Sequence, residues 1–120
     1  MAFEVAYLRA GGLLAAGSDP CCLHVIAGYG DQRNYELLVE AGLSPVEAVA
    51  VMTRNGARVL GIDGDVGTVE VGKQADLVLL RGNLAESPTV IRNTVTVFRR
   101  GVGFDSGRLI ESIKGQVGIK

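Results

Sequence analysis

Leu13-Leu14-Ala15-Ala16-Gly17-Ser18-Asp19-Pro20 is a short apolar run that stops on a small residue, a hydroxyl, a carboxylate and a proline. A run of this kind reads as a fully buried strand, and periodicity alone leaves a buried helix segment open. Pro20 has no backbone N–H and biases Asp19 towards extended geometry, so the strand Leu13–Gly17 is expected to end there. α/β folds place their chemistry at the carboxyl ends of buried parallel strands. On the local residues, Asp19 is either such a group or the cap of a turn.

Upstream of that stretch, Phe3–Ala10 has helical spacing and is stopped by Gly11-Gly12. Downstream, Cys21–Arg33 has no clean period and reads as a loop leaving the strand. A second helix is expected over Tyr35–Ala41, closed by Gly42. Ser44, Pro45 and Glu47 then form a capping-box signature. Val46, Val49, Ala50, Thr53, Ala57 and Leu60 continue it as one apolar stripe, which predicts a single helix ending at Gly61. Beyond Gly61, glycine-bounded segments rich in β-branched residues replace the helical period. Gly67–Gly72, Ala75–Leu80, Thr94–Arg99 and Val102–Phe104 read as strands, with a hairpin turn at Arg100-Gly101. Leu84–Val90 is a connection containing Pro88, and the tail from Ser106 is spaced as a short amphipathic helix. A helix-rich first half and a strand-rich second half suggest an α+β organisation, or pieces of two layers of something larger.

The chain has 120 residues, enough for one domain with a real core and well short of the roughly 250 that a closed barrel needs. Twelve basic residues against 13 acidic ones remove the electrostatic footprint of a nucleic-acid binder. No apolar run has the length of a membrane span, and the first residues lack the pattern of a secretory leader. The adjacent Cys21 and Cys22 are too close for a relaxed disulfide, which points to two reduced thiols in a cytoplasmic protein. Zinc held by Cys21, Cys22 and His24 would match no structural zinc spacing.

Few residues offer chemistry. His24 is the one histidine, and no serine sits in a nucleophile-elbow pattern. Gly28-Tyr29-Gly30 and Gly64-Asp65-Val66-Gly67 lack the strand-to-helix setting of a phosphate cradle. Lys73 and Asp76 flank a strand start, where a solvated turn with a structural carboxylate is the simpler reading. Glu36, Glu40 and Glu47 read as the wet faces of helices. A self-contained metal centre needs three or four convergent ligands, and on its residues alone the chain does not hold a complete active site.

The order of the pieces resembles one family. Gly17-Ser18-Asp19-Pro20, Leu37–Ala48 and Asn55-Gly56-Ala57-Arg58-Val59-Leu60-Gly61 are similar to the end of the barrel of the amidohydrolase superfamily. Gly67–Leu80 is similar to the return of that chain into a small β-sandwich, and Val95–Gly101 to its closing hairpin. The tail Leu109–Gly118 resembles endings in the branch of imidazolonepropionase-like and Xaa-Pro dipeptidase-like proteins. The resemblance implies an α/β C-terminal fragment of a metal-dependent hydrolase TIM barrel. Its last strand and outer helices would occupy 1–61, strands of the composite β-sandwich 62–105 and a tail 106–120.

By the same resemblance, Asp19 is a metal ligand and the general base of a C–N bond hydrolase acting on a small peptide-like or cyclic amide substrate. Threonine is commoner in the family where Ser18 stands. His24, Tyr29 and Arg33 are candidates to line the substrate mouth. Zinc or another divalent metal belongs to the full-length family, and the segments that carry the family's histidines and lysine have no counterpart here. Alone, the chain is expected to bind no metal, to be inactive, and to associate with itself or with a complementary N-terminal chain. The expected interface uses Leu13–Gly17 or the edge near Val95–Phe98. The alternatives are a non-catalytic oligomerisation module and one subunit of a split enzyme. Neither nucleic acid nor membrane is an expected partner.

Overall fold

Ser44 starts the best-defined helix, and the helical layer is built around it. The computed structural model describes residues 1–20, 25, 26 and 28–116. The expectations for Cys21, Cys22 and His24 therefore lie outside the described residues, as does the end of the tail. Ser44 Oγ accepts the Glu47 N–H at 3.3 Å, and Glu47 Oε2 accepts the Ser44 N–H at 2.8 Å, which closes the capping box. This helix, α3 (Pro45–Met52), packs with α1 (Ala2–Arg9) and α2 (Tyr29–Glu40). Their contact is the core: Tyr35, Leu38, Leu43, Ala48 and Val51 are buried, with Val5, Leu8, Leu14, Ala16, Leu84 and Ile91 against them.

Three expectations about the helices need correction. Helix α2 starts at Tyr29, so part of the expected loop Cys21–Arg33 is helical. Its N-cap is Gly28 at φ 80°, which no side chain advertises. The stripe from Val46 to Leu60 is not one helix. It breaks at Thr53 (φ −122°, ψ −83°), whose hydroxyl donates to the Val49 carbonyl at 2.7 Å, and resumes as α4 (Arg54–Leu60). The buried face is Ala48, Val51, Asn55 and Ala57, whereas Val46 and Leu60 stand 79% and 71% exposed. Gly61 ends α4 in the left-handed region, in keeping with the expected stop.

The strand expected over Leu13–Gly17 is absent as a paired strand. Residues 12–19 run without helix, turn or bend, and no described neighbour forms a ladder with them. Gly67–Gly72 is likewise a set of turns, with positive φ at both glycines (94° and 92°). Gly67 also presses on α4: a Cβ there would sit 2.6 Å from that of Ala57. The Lys73 ammonium ties this turn together, donating to the Asp63 carbonyl at 2.7 Å and the Thr68 hydroxyl at 2.5 Å.

The sheet has three antiparallel strands in the order β1 (Leu77–Leu80), β2 (Thr94–Arg99) and β3 (Val102–Asp105). A short 3₁₀ turn, Pro88–Arg92, precedes β2. Val78 faces Val97 and Val97 faces Phe104, with an irregularity between Leu79 and Leu80. Arg100 and Gly101 take φ of 50° and 79°, the left-handed pair of a tight hairpin turn. β2 is therefore the centre of the sheet, so the edge expected near Val95–Phe98 lies instead on β1 and β3. Asp76 is a structural carboxylate, as expected: it accepts the Arg100 N–H at 2.6 Å and the Gln74 amide at 2.7 Å. Those bonds, the backbone one first, hold its carboxyl below the usual range. Helix α5 (Ser106–Ser112) comes next, capped by Asp105, and leaves Leu109 and Ile110 exposed.

The molecule exposes more surface than its mass predicts. It shows 8477 Å², where a compact 12.6 kDa monomer exposes about 6200 Å². Its radius of gyration is 15.2 Å against about 13.6 Å for 120 compact residues. The excess carries Phe3, Val46, Val59, Leu60, Val69, Val71, Val78 and Leu79.

Candidate functional site

The site is built from the end of the straight segment and the first turns of α2. Among the described residues, no backbone–backbone hydrogen bond reaches residues 13–17. Two side-chain amides reach it instead. Asn55 Nδ2 donates to the Leu14 carbonyl at 2.9 Å, and Asn34 Nδ2 to the Gly17 carbonyl at 2.9 Å. Helices α4 and α2 here supply donors to a half-buried and an exposed carbonyl, where a neighbouring strand usually would. Asp19 lies two residues beyond the second of these bonds, exposed, with φ 41°. The expected extended geometry is thus replaced by the left-handed region, which asparagine and aspartate tolerate better than most residues.

Tyr29 opens α2 and is exposed. Arg33 lies one turn on, and its guanidinium is engaged along its own helix: Nη1 donates to Glu40 at 2.6 Å and to Glu36 at 3.1 Å, and Nη2 to Glu40 at 3.1 Å. A shallow cavity of about 260 Å³ runs along the straight segment, between Met1 and Glu4 of the first helical turn and Asn34, Leu37 and Leu38 of α2. Among the described residues, no group of three or more His, Cys, Asp or Glu side chains is placed to hold a metal ion. Asp19 by itself does not make a metal centre, so the residues present do not fit a complete one.

Reading the helix carboxylates as wet faces missed Glu36. It is 4% exposed and accepts a bidentate pair from Arg92, Nε at 2.6 Å and Nη2 at 2.8 Å. Arg92, aided by Arg33, holds its carboxyl below the usual range against the opposing effect of burial. This pair joins α2 to the turn before β2, across 56 positions of sequence, and no local signal announces it. Glu47 is also committed: Arg9, then the Ser44 N–H and hydroxyl, lower its carboxyl to about 2. The two asparagines were missed as well, because a side chain donating to a distant carbonyl has no spacing to read.

The sequence model of the Amidohydrolase family matches residues 9–107. An imidazolonepropionase of Maricaulis maris is 60% identical over 38 residues, 32% of this chain and 10% of that protein. A 5′-deoxyadenosine deaminase of Methanobrevibacter smithii is 47% identical over 53 residues, 44% of this chain and 12% of the relative. Among solved structures, a Xaa-Pro dipeptidase with methionine bound in its active site superposes with a TM-score of 0.72 at 28% identity. The match covers 87% of this chain and 25% of the dipeptidase. The chain thus spans about a tenth of the curated relatives' length and a quarter of the solved one. No described helix is long and apolar enough to cross a membrane. This chain belongs to the amidohydrolase family.

Proposed function

We propose that the chain is the C-terminal segment of a metal-dependent amidohydrolase that cleaves a C–N bond in a small peptide-like or cyclic amide substrate. Residues 1–61 would be the last barrel strand with its outer helices, 62–105 part of the composite β-sandwich, and 106–120 the tail. Asp19 would contribute one carboxylate to the metal site and serve as general base, as a ligand carboxylate beside a reacting water can. Zinc or another divalent ion would be held mainly by residues outside this chain. Tyr29 and, outside the described residues, His24 would border the substrate; Arg33 would do so only after leaving Glu40 and Glu36.

The observation that carries the reading is the unladdered segment 13–17 that leads into Asp19. It has the sequence context of a barrel strand, and its backbone is open where neighbouring strands would pair. The excess apolar surface supports a partner: a second copy in isolation, or a complementary N-terminal chain. The isolated chain should be inactive. The test adds zinc to the chain and assays dipeptides and cyclic amides, then repeats the assay on the completed enzyme with Asp19→Asn. No turnover by the chain and loss of at least about a hundredfold in kcat in the variant are expected. Turnover by the chain alone, or an unaffected Asp19→Asn enzyme, would contradict it. The second outcome would favour a non-catalytic oligomerisation module.

A further inference from the structure

We propose that Asn34 and Gly30 are positioning residues for Asp19, acting together from one face of α2 on the two residues that precede it. The proposal rests on the reading of Asp19 as a functional carboxylate. Asn34 and Gly30 are four positions apart, so they lie one above the other on the same side of the helix. The Asn34 amide donates to the carbonyl of Gly17, two residues before Asp19, at 2.9 Å. One turn earlier, the backbone of Gly30 lies against Ser18, the residue immediately before Asp19. A Cβ at position 30 would come within 2.9 Å of the Ser18 Cβ and 2.6 Å of Val25 Cγ1. Only glycine allows this approach without movement.

These two contacts matter because they bracket the approach to a strained residue. Asp19 sits at φ 41°, a conformation that a residue with a side chain keeps only where its surroundings impose it. Nothing in a ladder imposes it here, since residues 13–17 have no backbone partner among the described residues. Asn55 fixes the start of the segment through Leu14, too far upstream to set the direction of the Asp19 side chain. Among the described residues, Gly17 and Ser18 are met from α2, by Asn34 and Gly30. They set where the carboxylate points while contributing little to the core, because Gly17 is exposed and Asn34 lies at the margin of the buried cluster. A small misplacement of a reacting group is enough to slow catalysis without weakening substrate binding.

The experiment is NMR on the isotope-labelled 120-residue chain, reading φ at Asp19 from its backbone coupling and carbon shifts, in the parent, Asn34→Ala and Gly30→Ala. Each variant is expected to lose the positive-φ signature at Asp19 while the resonances of Tyr35, Leu38 and Val51 stay in place. Retention of positive φ in both variants would overturn the proposal, as would loss only together with the core resonances. Asn34→Asp, which keeps the shape and removes the donor, separates these cases if alanine unfolds the chain. In the completed enzyme, Asn34→Ala should lower kcat by about 10- to 100-fold with KM held within about twofold. A raised KM with unchanged kcat would count against it. Failure of the Asp19→Asn test would remove the catalytic reading and leave the conformational result standing; the converse also holds.

Discussion

Two stretches of similar character have opposite fates in this molecule. Thr94–Arg99 is the central strand of a sheet, with β1 on one side and β3 on the other. Leu13–Gly17 is as apolar, runs as straight, and is held at two carbonyls by asparagine side chains. The difference is not propensity. A strand needs neighbours, and β2 finds both within the same part of the chain: β3 across the Arg100-Gly101 turn, and β1 from before the 3₁₀ turn. On the proposed reading Leu13–Gly17 is a parallel barrel strand, whose neighbours would come from distant parts of a longer chain. The sheet is thus assembled from nearby segments, while the helical layer presents an unladdered segment and surplus apolar surface.

Tyr35 shows whether the helical layer has a core of its own. Tyr35→Ala should cost about 3–5 kcal/mol, because it empties the centre of that layer, and urea denaturation would measure it. Tyr35→Phe should be near neutral, since the phenol oxygen, buried and so held above its usual pKa, has no partner among the described residues. A large loss for phenylalanine would show that the hydroxyl is bonded.

Hydrogen exchange bears on the comparison directly. Amides of Thr96, Val97 and Phe98, which are paired on both sides, should on average exchange at least about a hundredfold more slowly than those of Leu14, Ala15 and Ala16 in dilute solution. Equal protection would mean that the two stretches are not different in kind. Glu36→Gln should then cost about 2 kcal/mol, by leaving the Arg92 fork without its charged partner. A thermal melt against the Arg92→Met variant and the double variant measures the coupling between the helical layer and the sheet.

The smallest effect concerns pH. Glu47, lowered to about 2, and Glu36 and Asp76, lowered in direction, all bind protons less readily when folded. Their contribution is fully present above the unfolded carboxylate range, near 4.5, and is lost as pH falls towards about 2. Denaturation midpoints should therefore decline through that window, and Glu47→Gln should make the decline shallower. An unchanged slope would mean that the exposed Arg9–Glu47 pair is too well solvated to count.

Legibility in the sequence tracks the range of the interactions. The capping box at Ser44, the stop at Gly61, the strand Thr94–Arg99 and the turn at Arg100-Gly101 are local, and residue chemistry announces each. The start of α2 was hidden because Gly28-Tyr29-Gly30 favours a loop by propensity, although the helix begins there with Gly30 against Ser18 and Val25. The break at Thr53 was hidden because the apolar spacing runs straight through it. Gly67–Gly72 has strand-like residues, but its glycines take positive φ and it has no strand to pair with among the described residues. Asp19 was singled out from its position after an apolar run, whereas Asn34, Asn55 and Arg92 act at separations of 17, 41 and 56 residues that no periodicity carries.

On the proposed reading, another chain covers the open segment and the surplus apolar surface. The most direct measurement is the mass of the purified chain in solution, by light scattering over a range of concentrations. A mass that is a multiple of 12.6 kDa, falling towards it only on strong dilution, is expected. A monodisperse 12.6 kDa species at every concentration would contradict it.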